Sequence, residues 1–180
     1  MPDLYSLYTE QQTVELVEIL DDKGRAFMVM SLAQAHKQGL CYQLVIALLY
    51  CPQGLLYIQQ RSRQSPLFPD IWDVSSVVPV RANEAPGDAV SRGLYETLRV
   101  RPTNCVEINS ELRKLPHGAH RIVTFQALAP SQTPAPDSRF VDRLIKVNAL
   151  ELELILKDFP DQASPALCYI GEKGLAFKKA

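Results

Sequence analysis

The sequence predicts an α+β or mixed-sheet α/β fold, and three observations predict it. Cys41 to Cys51 (CYQLVIALLYC) is an almost continuous apolar run, the pattern of a strand buried on both faces. Several shorter valine- and isoleucine-rich segments are punctuated by Gly, Pro and Asp turns. One stretch, Glu84 to Leu98, carries helical periodicity, yet strands and helices do not alternate strictly. The 180 residues suit one domain spanning 1–180, large enough to bury a core without staples.

Thr13 to Leu20 (TVELVEIL) alternates loosely and reads as a strand. Asp21-Asp22-Lys23-Gly24 is a turn with glycine where positive φ is cheap, and Arg25 to Met30 returns as the second strand of a hairpin. Ser31 caps a short helix over Leu32 to Gln38, which Gly39 stops. The buried strand follows, then a Pro52-Gln53-Gly54 turn and a returning strand, Leu55 to Gln60. Arg61-Ser62-Arg63 opens a loop holding Pro66, Pro69 and Asp70, and the valine-rich Trp72 to Val80 reads as one strand. In the helix from Glu84 to Leu98, Val90, Leu94 and Leu98 recur every four residues beside Ala89, so one stripe packs inward. Asn83 is the expected cap, Pro86 falls in the first turn, and Arg101-Pro102 ends the helix. Strands are expected near Val106 to Leu112, Arg121 to Leu128 and Phe140 to Val147, with a proline-rich loop from Pro130 to Pro136. Ala149 to Leu156 reads as a helix and residues 157–180 as a C-terminal tail or helix.

Composition excludes several function classes. Nineteen Lys and Arg nearly cancel twenty Asp and Glu, so no global basic field draws the chain to nucleic acid or an acidic membrane. The longest apolar run, Leu44 to Tyr50, is too short to span a bilayer, and Met1 to Glu10 lacks the pattern of a secretory signal. Cys41, Cys51, Cys105 and Cys168 form no C-x-x-C pair and read as reduced cysteines. The expectation is a cytoplasmic protein.

One constellation is informative. Val78 to Val100 reads VPVRANEAPGDAVSRGLYETLRV, preceded by Arg61 and by Pro69 to Asp73 (PDIWD). This stretch resembles the Nudix hydrolase signature: glycine, five residues, Glu, seven residues, Arg-Glu, aliphatic, any, Glu-Glu, any, Gly, aliphatic. Glu84 and Arg92 hold the first glutamate and the arginine, Leu94 an aliphatic position, Glu96 one paired glutamate and Val100 the closing aliphatic. The N-terminal VELVEILDDKGRAF and the short helix after it resemble the subgroup related to isopentenyl-diphosphate isomerase. The resemblance covers about residues 14–156 and implies a mixed sheet sandwiched between helices.

The departures are as informative. Val78 replaces the signature's first glycine, Gly93 the glutamate after the arginine, Thr97 the second paired glutamate and Arg99 the later glycine. Nudix enzymes cleave nucleoside diphosphates linked to another group, using Mg²⁺ or Mn²⁺ held by helix glutamates. Positions 93, 96 and 97 share one face of a helix, so three carboxylates there converge on metal; only Glu96 remains. The resemblance makes Glu96 the metal ligand and catalytic group if the chain is active. The alternative is an ordinary ladder of alternating charge, Asp88, Arg92 and Glu96. Glu84 and Arg92 are expected as an architectural ion pair. Gly93 in mid-helix costs roughly 1 kcal/mol against alanine and is explained either by a close approach or by drift. The isomerase's catalytic cysteine and histidine fall on Val77 and Pro79, which excludes that chemistry.

Other candidates are Arg61 and Arg63 as a phosphate grip or a surface face, and Trp72 as a substrate contact or a packing anchor. The tyrosines Tyr5, Tyr8, Tyr50, Tyr57 and Tyr95 could stack on a base, and His117 and His120 form an H-x-x-H pair without a cysteine partner. The functional expectation is a non-catalytic or weakly active binder of a small phosphate-bearing ligand or of a protein partner, with no metal. Its alternative is an active hydrolase of a nucleoside diphosphate-linked metabolite, with Mg²⁺ or Mn²⁺ as cofactor and Glu84, Asp88 or Glu111 joining Glu96. No nucleic acid or membrane partner is expected, and the sequence specifies no oligomeric state.

Overall fold

The computed structural model describes residues 15–65, 67–115, 118–130 and 133–177, and the side chains of residues 114, 115, 118 and 119 are not described. Strands β1 (Leu16–Leu20) and β2 (Ala26–Ser31) form the expected antiparallel hairpin. Helix α1 (Leu32–Lys37) starts at Ser31, whose side chain accepts from the Gln34 N–H. Strand β3 (Tyr42–Tyr50) is the apolar run, and β4 (Leu56–Arg61) follows it after a tight turn. Helix α2 spans Pro86–Leu98. Strands β7 (Asn104–Leu115) and β8 (Gly118–Leu128) make a long hairpin, and β9 (Val141–Val147) leads to α3 (Ala149–Asp158). After a 3₁₀ turn at Pro160–Gln162, α4 (Pro165–Glu172) closes the described chain. No described helix is long and apolar enough to cross a membrane.

The valine-rich segment predicted as one strand is two. Strand β5 (Trp72–Asp73) pairs with β4, and β6 (Ser76–Pro79) pairs with β3. Ser75 marks the break: its Oγ accepts from the Leu49 N–H and donates to the Tyr57 carbonyl, tying β3 to β4. Sequence propensity cannot see that break, because valine suits both strands equally well.

β3 organises the sheet. β8 runs parallel to it in an unbroken register from Tyr42–His120 to Tyr50–Leu128. Its other edge is shared: β1 meets it at Tyr42, β6 along Leu44 to Ala47, and β4 at Tyr50. The sheet therefore branches, with β1–β2 on one limb and β4 with β5 and β9 on the other. Side chains alternate along β3, so Val45, Ala47 and Leu49 face one layer and Ile46 and Leu48 the other. On the first face α2 packs Ala89, Val90, Leu94 and Leu98 with Val123, Phe125 and Ala127. On the second, Leu152 of α3 and Leu167, Tyr169 and Ile170 of α4 pack with Ile122 and Leu56. The result is the expected mixed sheet between helices.

Helix α2 begins two residues later than expected. Its N-cap is Ala85, which makes no side-chain cap bond, whereas Asn83 sits in the preceding turn with φ +63°. Pro86 opens the helix, where its missing N–H costs nothing. The expected C-terminal tail or helix contains α4, whose cap Ser164 accepts from the Leu167 N–H and donates to Asp73 at 2.5 Å.

Candidate functional site

The candidate site is the inner and lateral face of α2, where the signature residues of the sequence gather. Arg92 is mostly buried, with its guanidinium turned back toward the turn before the helix. Its Nε donates to Glu84 Oε1 at 2.8 Å, and its Nη2 donates at 2.8 Å both to Glu84 Oε2 and to the Pro79 carbonyl. The same Glu84 carboxylate accepts from the Arg81 backbone N–H at 2.9 Å. Burial pushes the Glu84 carboxyl up, but the hydrogen bonds from Arg92 and Arg81 and their charges outweigh it and hold it below its usual range. Burial likewise opposes the charge on Arg92, and Glu84, Glu96 and Glu15 more than restore it. This bidentate pair pins the start of α2 to the end of β6.

Glu96 stands on the outer flank of that node with 45% of its side chain exposed. Its oxygens lie 3.5 Å from Arg92 Nη1 and 3.7 Å from Arg81 Nη2. Arg81 Nε also pairs with Glu15 at 3.0 Å. Three carboxylates, Glu15, Glu84 and Glu96, are thus held around two guanidiniums. Asp88 has no ion-pair partner among the described residues, so the expected three-member ladder consists here of Arg92 and Glu96 alone.

The remaining signature positions meet on the side of α2 that faces β6. Gly93 is buried there, and a Cβ added to it would lie 2.8 Å from Ser76 Oγ and 2.9 and 3.0 Å from the two methyls of Val78. Those distances are well inside normal contact, so the backbone of α2 rests on β6 only because position 93 has no side chain. The glycine is therefore explained by a close approach. Val78 and Gly93, two separate departures from the signature when read along the chain, are one packing exchange in space: bulk stands on the strand where the signature has glycine, and glycine on the helix where it has glutamate. One turn further on, Thr97 Oγ1 lies 3.4 Å from Ser76 Oγ. The fourth departure, Arg99, takes the left-handed C-terminal position of α2 with φ +57° and ψ +29°, the conformation that favours glycine. Its Nη2 pairs with Asp137 at 2.5 Å.

The divalent cation implied by the resemblance does not fit this donor set. Position 93 offers no oxygen, position 97 a hydroxyl already facing Ser76, and Glu96 is shared by two guanidiniums. Among the described residues, no group of three or more His, Cys, Asp and Glu side chains is placed to hold a metal ion. Of the carboxylates considered as substitutes, Glu84 belongs to Arg92, and Glu111 on β7 pairs with Lys173, which follows α4, at 2.9 Å.

The other candidates have structural surroundings. Arg61 donates through Nη1 to the buried Asp73 at 3.0 Å, through Nε to the Leu67 carbonyl and through Nη2 to Ser65, so its fork holds the loop between β4 and β5. Arg63 approaches Asp70 at 3.5 Å on the surface. Trp72 packs partly buried against the α3–α4 layer. His120 is buried edge-on against Tyr42, with ring centroids 4.4 Å apart, while His117, Tyr5 and Tyr8 lie outside the described residues. Ser76, which lacks the glycine-flanked elbow of a serine hydrolase, matters here as the neighbour of Gly93 and Thr97, and the sequence carries no signal for Arg81 or Glu15. A serine in a strand carries no signal by itself, and Glu15 comes from a distant hairpin.

Comparison with known proteins places this geometry in context. No family model matches the chain. An uncharacterized Nudix hydrolase of Nostoc sp. is 31% identical over 90 residues, which are 49% of this chain and 53% of that protein, so the match spans about half of the relative. Among solved structures, DR0079 from Deinococcus radiodurans superposes with a TM-score of 0.72 at 18% identity, covering 88% of this chain and 98% of that one. A MutT protein of Methanosarcina mazei gives 0.59 at 16% identity, covering 74% and 91%. The Nudix domain of Shewanella oneidensis NrtR, crystallised with ADP ribose, gives 0.56 at 18% identity, covering 81% and 97%. These likenesses show that the chain has the Nudix fold.

Proposed function

We propose that this chain is a single-domain member of the Nudix superfamily that does not build the metal cluster on α2 and serves as a binding module for a phosphate-bearing ligand. The observation that carries this reading is the packing between α2 and β6. The space and the positions used by two of three signature carboxylates are taken by Val78 against Gly93 and by Ser76 facing Thr97. Without those carboxylates the charge of a metal is not held beside an attacking water, and the water's pKa is not lowered. The ligand class is supported by the fold, since the Shewanella domain holds ADP ribose in the same architecture. The hairpin β1–β2 followed by α1 supports placement near the isopentenyl-diphosphate isomerase subgroup, without that enzyme's chemistry.

A second reading, an active hydrolase of a nucleoside diphosphate-linked metabolite, is favoured by the likeness to the Nostoc Nudix hydrolase and by the intact Glu84–Arg92–Pro79 scaffold. Two measurements separate the readings: calorimetry with Mn²⁺, and a phosphate-release screen over nucleoside diphosphate sugars, dinucleoside polyphosphates and nucleoside triphosphates with Mg²⁺ or Mn²⁺. The binding module shows no tight metal site and no appreciable turnover. Robust turnover abolished by Glu96→Gln would establish the hydrolase instead.

A further inference from the structure

Beside the Glu84–Arg92 node, helix α2 carries an outer face of non-signature residues. Ser91 and Tyr95 stand one turn apart on it, and with Arg92, Arg101 and Pro102 they line an open groove of about 400 Å³. Tyr95 is 41% exposed. Its ring carries two guanidiniums, Arg101 at 5.0 Å and Arg99 at 5.5 Å from the centroid. Arg92 and Arg99 are already neutralised, by Glu84 and Asp137. Arg139 shares the same Asp137. Arg101 makes no ion pair among the described residues. Three arginines linked through Tyr95 and Asp137 therefore face one carboxylate, and the fork of Arg101 is held by the ring while its donors remain available.

We propose that this groove binds the phosphate group of a small phosphate monoester, with Arg101 as its principal donor. The inference rests on the reading of the chain as a binder of a phosphate-bearing ligand, but not on the loss of hydrolysis. The charge balance suits one small phosphate group: three arginines stand against Asp137 and Asp88, one positive charge in excess, and the net charge of −1 for the whole chain disfavours a polyanion such as nucleic acid. Arg101 offers a planar pair of N–H donors to two phosphate oxygens. The Ser91 hydroxyl, which now donates to the Gly87 carbonyl at 3.2 Å, turns to donate a further bond. Asp88 lies on the same face one turn before Ser91 and opposes the anion.

The test is an NMR titration of the full chain that follows the Arg101 Nε–H and the Tyr95 ring, with chloride holding ionic strength constant. One arm adds inorganic phosphate and the other glycerol phosphate. Both arms are expected to saturate, with the ester binding the tighter. Arg101→Gln is expected to weaken binding at least tenfold, Arg101→Lys to retain part of it, and Asp88→Asn to strengthen it, with thermal midpoints confirming folded variants. Absence of saturation in both arms, or Arg101→Gln binding like the parent, overturns the site. Ester binding that ignores Arg101 would leave the ligand class standing and remove this groove. Turnover in the phosphate-release screen would remove the non-catalytic reading and leave the groove intact.

Discussion

Replacing Gly93 by alanine tests the contact between α2 and β6 directly. In an open helix the change stabilises by about 1 kcal/mol, because alanine is the better helix former. Here the new methyl meets Ser76 Oγ at 2.8 Å and the Val78 methyls at 2.9 and 3.0 Å, where carbon–carbon contact normally begins at about 3.5 Å. Ser76 can rotate, at the cost of its contact with Thr97. Val78 presents two methyls, and its strand is fixed by pairing with Val45. Overpacking of this kind costs about 1–3 kcal/mol. The net expectation for Gly93→Ala is a loss of about 1 kcal/mol, opposite in sign to the helix-propensity prediction. Val78→Ala removes both offending methyls, so in the double variant the alanine at 93 is expected to be tolerated. The cycle is then expected to show a coupling of about 1–3 kcal/mol. Urea denaturation of the four proteins measures it, with unchanged m-values as the check on two-state behaviour. If Gly93→Ala stabilises by about 1 kcal/mol, or the two changes add within about 0.5 kcal/mol, the close approach is not real and the packing argument fails. The same geometry makes Gly93→Glu with Thr97→Glu insufficient to rebuild a metal cluster; Val78→Gly has to accompany them.

Three other outcomes follow from the site. Leu94→Ala is expected to lose about 2–5 kcal/mol in denaturant, since Leu94 is fully buried in the layer between α2 and the sheet; a change near zero would mean the helix face is misassigned. Arg99→Gly is expected to leave stability within about 1 kcal/mol, because relief of the left-handed strain offsets the lost pair with Asp137. Arg99→Val is expected to lose about 2 kcal/mol, since a β-branched residue suits that φ worst, and equal midpoints for the two variants would contradict the cap assignment. Glu84, whose carboxyl is held below its usual range in the folded chain, contributes stability that is present above the ordinary glutamate pKa of about 4.3 and is lost as pH falls through the folded value. Glu84→Gln should therefore flatten the acid limb of the stability-against-pH curve, and an unchanged limb would show that the pair with Arg92 does not drive it.

Much of the frame was legible in the sequence because its signals are local. The apolar run of β3, the capped α1, the Gly-bearing turns and the four-residue stripe of α2 each follow from short-range periodicity. The break at Ser75 was not legible, since the switch from β4 to β3 as partner is a tertiary event. The Asn83 cap failed for a similar reason: Glu84, turned toward Arg92 and the Arg81 N–H, sets the geometry of that turn. At the site, the identities of the departures could be read from the signature, but their meaning could not. Val78 and Gly93 are fifteen positions apart along the chain. Only the antiparallel β3–β6 register and the seating of α2 show that each accommodates the other.

The parallel register of β3 with β8 makes the central pairing of the molecule a long-range one. Tyr42 to Tyr50 pairs with His120 to Leu128, so the central strand completes its hydrogen bonding only after α2 and the β7–β8 hairpin have been synthesised. The hairpin closes locally and fast, whereas the long-range parallel pairing carries the loop-closure entropy of everything between. Until that pairing forms, β3 exposes an apolar strand with one open edge, the species most prone to pair with another chain. Substitutions along the β8 edge facing β3 are therefore expected to lower soluble yield before they lower the melting temperature of molecules that have already folded.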